Sequence, residues 1–169
     1  MTSLKTLLAA AFTAAALPLL SLPALAQDGV HIENPYARSM GGIGASGAVF
    51  FEITNHADVD DRLIDARSDV AEKVELHTHK DDGNGVMQML HVPEGFAIPA
   101  QGTHALQRGG DHVMLMGLKA PLKDGDIITV TLIFDGAAPV TFEAVVDNNR
   151  KPEDGMGEMD HSKMGHSTP

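Results

Sequence analysis

From Val30 to Val146 the chain is a succession of short apolar or alternating runs, each closed by glycine, proline, asparagine or aspartate. Alternation at period two marks half-buried strands, and turn residues at roughly ten-residue intervals leave little room for helices. The opening run, residues 30–37, contains Pro35, which favours an edge position because proline cannot donate to a ladder. Residues 41–44 form a glycine loop before the apolar run 48–54, which ends at Asn55. Acidic Asp58, Asp60 and Asp61 lead into 62–66. In residues 73–79, Val74, Leu76 and Thr78 alternate with Lys73, Glu75 and His77. Residues 81–85 have the composition of a hairpin turn, leading into 86–92. Shorter pieces follow at 96–98 and 103–107, and the turn Arg108-Gly109-Gly110 leads into 111–116. The most β-rich run, 127–134, is followed by a closing run at 139–146. Roughly eight to ten strands predict an antiparallel sandwich or barrel. The alternative is an α+β fold with a helix near 68–76.

The charge excludes some functions. The formal net charge is −11, which disfavours nucleic acid and anionic membranes as partners. Residues 1–26 read as an export signal, with Lys5 in the basic part, an apolar stretch broken by Pro18, and small Ala24 and Ala26 at the cleavage site. Its removal leaves a periplasmic, soluble protein with no stable membrane insertion and about 140 residues, enough for one core. No cysteine occurs, so neither a disulfide, a thiolate metal site nor a lipobox anchor is expected. Residues 27–148 then form the domain. Residues 149–169 lose all apolar periodicity and are expected to be a disordered tail.

Nine methionines against one tyrosine and no tryptophan need an explanation. A lone methionine usually fills a core gap. Here His112, Met114 and Met116 fall on one face of a predicted strand, with Val113 and Leu115 on the other. Met87, Met89 and His91 likewise share a face opposite Val86, Gln88 and Leu90. With the aliphatic faces inward, several thioethers would be exposed. Neutral, polarizable thioether sulfur suits Cu(I) and needs no deprotonation to bind it. A blue-copper electron-transfer site, by contrast, requires a cysteine thiolate. No nucleophile elbow, paired-carboxylate signature or catalytic zinc motif appears, so an enzyme is disfavoured. His31, His56, His91 and His104 have no partner at diagnostic spacing and read as surface or structural residues.

The spacing of these residues resembles the periplasmic copper chaperones called PCu(A)C. Their pattern is a histidine, an optional methionine, ten residues, a methionine, twenty-one residues and then His-x-Met. Here His77 is followed by Thr78 in the optional position, ten residues, Met89, a gap of twenty-two residues and His112-Val113-Met114. Val74-Glu75-Leu76-His77, Gly85-Val86-Met87-Gln88-Met89, Ile98-Pro99-Ala100 and Gly109-Gly110 add to the likeness. The resemblance implies a cupredoxin-like Greek-key β-sandwich whose ligands to Cu(I) are His77, Met89, His112 and Met114. It also implies delivery of the ion to the apo copper site of a cytochrome c oxidase subunit, or to another copper chaperone. The extra residue after Met89 leaves Met87 as an alternative ligand, and Thr78 leaves His79 as an additional donor. Met156, Met159, His161, Met164 and His166 in the tail suggest a second copper site, for Cu(I) or Cu(II). A copper-sequestering protein without a dedicated acceptor is the competing function.

Overall fold

The computed structural model describes residues 29–39 and 41–151. The expected export signal at 1–26, and residues from 152 on, lie outside the described residues. Ten strands follow in order: β1 (Val30–Ser39), β2 (Gly47–Asn55), β3 (Asp61–Arg67), β4 (Ala71–Asp81), β5 (Met87–His91), β6 (Phe96–Ile98), β7 (Thr103–Leu106), β8 (His112–Leu118), β9 (Ile127–Phe134) and β10 (Val140–Val146). Among the described residues there is no helix, and hence none long and apolar enough to cross a membrane. The helix considered near 68–76 is instead a turn at 68–70 followed by the start of β4. Its alternating Val74, Leu76 and Thr78 need a pleated partner, and β8 supplies one.

Hydrogen bonding runs continuously in the order β5-β4-β8-β2-β1-β10-β9-β3-β6, with β7 on the second half of β2. The chain crosses between the two ends of this order after β2, β3, β5, β6 and β8, which is the Greek-key character. Both ends contribute to one core. Val49, Ile53, Leu76, Val113 and Leu115 come from one side, and Leu63, Ile128, Val130, Leu132 and Val146 from the other.

Pro35 does not mark an edge. β1 lies between β2 and β10, paired with β10 in parallel only through Tyr36 and Ala37. The β1–β2 register shifts between Glu33 and Tyr36, so the proline sits in a bulge where no ladder bond is asked of it. Among the described strands the edge beside the candidate ligands is β5, and all five of its residues are exposed. The expectation that its aliphatic face points inward therefore fails. β5 extends past the core, and Leu90 stays 41% exposed while Met89 is 44% exposed.

Candidate metal centre

Strand register gathers the candidate ligands. Residues directly opposite one another in neighbouring strands share a face. His77 of β4 pairs with His112 of β8 and with His91 of β5, Glu75 with Met114, and His79 with Met89. Ala48 of β2 lies on the other side of Met114. The outer face of β5, β4 and β8 thus carries His77, His79, His91, His112, Met87, Met89, Met114 and Met116. Val113 and Leu115 point the opposite way, fully buried in the core. Two apolar anchors thereby fix the direction of His112 and Met114.

His112 is the centre of the arrangement. It is 1% exposed, and its ring centroid lies 5.0 Å from that of His79 and 6.0 Å from those of His77 and Phe50. Its Nδ1 donates to the Gly110 carbonyl at 3.0 Å, which leaves Nε2 buried without a hydrogen-bond partner. Burial pushes the imidazole pKa down. The Gly110 hydrogen bond and Asp111 oppose that shift, and nearby His79 and His77 reinforce it. His77 has the reverse arrangement. Its Nε2 meets Glu75 Oε2 at 2.9 Å, and its Nδ1 is buried and unpartnered. Hydrogen bonds from Lys73 and His77 hold the Glu75 carboxyl down at about 2.

A cavity of about 280 Å³ opens beside this cluster, lined by His79, Met89, His112 and Met114 on one side and by Arg38, Phe50 and Arg108 on the other. Met89 lines it and Met87, one pleat further along an exposed edge, does not. His77 lies behind it, toward β5, 5.8 Å from the His91 ring. A cavity of similar size, about 300 Å³, lies among Asp60, Asp61, Pro99 and Asp135 and holds none of these residues. Among the described residues no group of three or more His, Asp or Glu is arranged to hold a metal, so those donors do not close a site without the thioethers.

Sequence spacing missed three participants. His91, read as isolated, stands directly across from His77. Glu75 falls on the His77 face by simple alternation, but the ligand spacing does not mark it as the partner of that ring. The Gly110 carbonyl, which His79 Nδ1 also approaches at 3.3 Å, had no side-chain signature at all. His104 stacks on Phe96 at 5.2 Å and meets Asp111 Oδ2 at 3.0 Å. The tail residues Met156, Met159, His161, Met164 and His166 lie outside the described residues.

Residues 30–146 match the family model described as "Putative lipoprotein LpqE-like". The chain belongs to the LpqE-like family. A relative, "Putative lipoprotein Lxx21020" of Leifsonia xyli subsp. xyli (strain CTCB07), is 38% identical over 123 residues, which is 69% of this chain and 72% of that protein. Among solved structures, the Cu(I) form of DR1885 from Deinococcus radiodurans is 34% identical with a TM-score of 0.55, covering 75% of this chain and 84% of that one. The copper-bound PCuAC domain from PmoF2 is 25% identical with a TM-score of 0.56, covering 70% of this chain and 92% of that one. This LpqE-like chain therefore has the cupredoxin-like β-sandwich of the PCuAC type, as the resemblance implied.

Proposed function

We propose that this LpqE-like protein is an exported copper chaperone that binds Cu(I) through His77, Met89, His112 and Met114. One observation carries the reading: two buried ring nitrogens, His77 Nδ1 and His112 Nε2, have no hydrogen-bond partner on the face that also presents Met89 and Met114. An unpaired buried acceptor is costly, and each of these two would be satisfied by a metal ion. Two neutral imidazoles and two thioethers form a soft, uncharged donor set suited to Cu(I). The copper-bound PmoF2 domain and the Cu(I) form of DR1885 support the choice of metal. His79 beside the cavity and Met87 on the edge strand are reserve donors.

A carrier has to release its ion. Met89 is 44% exposed on a strand with no outer neighbour among the described residues, so an incoming ligand can displace it first and draw copper out by exchange. The acceptor we assign is the apo copper site of a cytochrome c oxidase subunit, or another chaperone acting before it. The leader at residues 1–26 and the lipoprotein descriptions of the relatives support export, with the periplasm as the compartment. The five His/Met residues of the tail favour a second reading, a sequestering protein that stores copper without a dedicated acceptor.

Anaerobic titration of the leader-free protein with Cu(I) tests the site. His112→Ala and Met114→Ala are each expected to weaken binding by more than about tenfold, and wild-type binding in both would refute it. Transfer to an apo oxidase copper domain separates the two readings, because a sequestering protein would retain its copper.

A further inference from the structure

A histidine that ligates a metal through one ring nitrogen is normally held by a hydrogen bond from the other, which sets both its tautomer and its direction. His112 gets this from a backbone carbonyl, Gly110. His77 gets it from a side chain two residues earlier. Glu75 lies on the same face of β4, with 15% of its side chain exposed, and its Oε2 is 2.9 Å from His77 Nε2. Its other oxygen, Oε1, is engaged by Lys73, so the carboxylate is tied at both ends. An ionised carboxylate can only accept, so the proton of this contact belongs to His77 Nε2. The lone pair is then left on Nδ1, the atom that is buried without a partner.

We propose that Glu75, braced by Lys73, is the positioning residue that makes His77 bind copper through Nδ1, whereas His112 binds through Nε2. This rests on the copper reading above. The two rings have opposite polarity although each anchor lies two residues earlier in the chain, a side-chain carboxylate for His77 and a backbone carbonyl for His112. The Glu75 anchor comes from further back along the same strand, and the Gly110 anchor from the turn before β8. The two free nitrogens are thereby presented by adjacent, paired residues of β4 and β8.

The test is long-range ¹H–¹⁵N NMR of the histidine rings in the full chain, apo and with one equivalent of Cu(I), together with competition titration. Wild type should keep the His77 proton on Nε2 in both forms and show copper on Nδ1. Glu75→Gln, whose amide oxygen still accepts, should keep that attachment. Glu75→Leu should lose the protected Nε2 proton signal and bind Cu(I) about 10–100-fold more weakly. Copper on His77 Nε2 in wild type would overturn the proposal. So would Glu75→Leu binding as tightly as wild type while His77→Ala binds weakly. If Glu75→Leu and His77→Ala both bind like wild type, the failure lies in the copper assignment of His77 itself. Should Glu75→Leu not fold, the wild-type and Glu75→Gln spectra decide.

Discussion

Met114 and Met116 are two residues apart on one face, yet their surroundings separate them. Met114 stands beside Glu75 and Ala48 and lines the cavity, while Met116 pairs with Lys73 one pleat further on. Met116→Leu should therefore leave Cu(I) affinity unchanged and cost less than about 1.5 kcal/mol of stability, as volume-conserving swaps do. The same swap at Met114 should cost affinity with little loss of stability, and Cu(I) competition alongside urea unfolding measures both quantities. Leu115→Ala is the complementary case. Leu115 is fully buried, so about 2–5 kcal/mol of stability should be lost to the cavity left behind. At this scale the sequence was readable wherever period two applied. Val113 and Leu115 announced which way His112 points, and Glu75 could have been placed beside His77 in the same way. The Gly110 carbonyl was not readable, because a backbone acceptor is invisible until the turn that aims it is known.

That turn is a matter of elements. Gly110 N donates to Gln107 O at 3.0 Å, and between them Gly109 has φ 82°, a left-handed conformation that a side chain resists. Gly109→Ala should destabilise by about 1 kcal/mol and also weaken copper binding, because the shifted carbonyl no longer orients His112. Asp61 plays a comparable part at the other end of the molecule. It accepts hydrogen bonds from the N–H groups of Arg62 and Gly136 on Oδ1 and of Ala137 on Oδ2, tying the start of β3 to the β9–β10 turn. Partial burial raises its pKa, but the bonds from Gly136, Arg62, Ala137 and Asp135 outweigh that and hold the carboxyl below its ordinary 3.8. The folded value is the lower one, so its stabilisation is fully present above pH 3.8 and is lost as pH falls through the folded value. Asp61→Ala should cost about 1–3 kcal/mol at neutral pH, and urea unfolding should show that difference narrowing in acid. The strands themselves were legible because turn residues bound each run. Neighbours distant in sequence, such as β1 beside β10, were not, and Pro35 misled because a bulge can hide a proline inside a sheet.

For the whole molecule, the acidic chain keeps its soft donors together on one face near an open edge. The four proposed ligands are all uncharged, while Glu75 beside them and Arg38 and Arg108 across the cavity carry charge. The ten strands lie within residues 30–146, so deleting residues 152–169 should leave the unfolding transition where it is. If the tail holds a second site, the same deletion lowers the copper stoichiometry, and an unchanged stoichiometry would remove that site from consideration. The tail was legible only as composition, since its His and Met residues follow no strand period that would set a register.

X-ray absorption at the copper edge bears most directly on the His/Met site, with the full chain loaded anaerobically with less than one equivalent of Cu(I). Wild type is expected to show a first shell of two sulfurs and two imidazole nitrogens, and Met89→Leu/Met114→Leu to lose the sulfur contribution. A wild-type shell of nitrogen and oxygen alone, or an unchanged sulfur shell in the double variant, would contradict it.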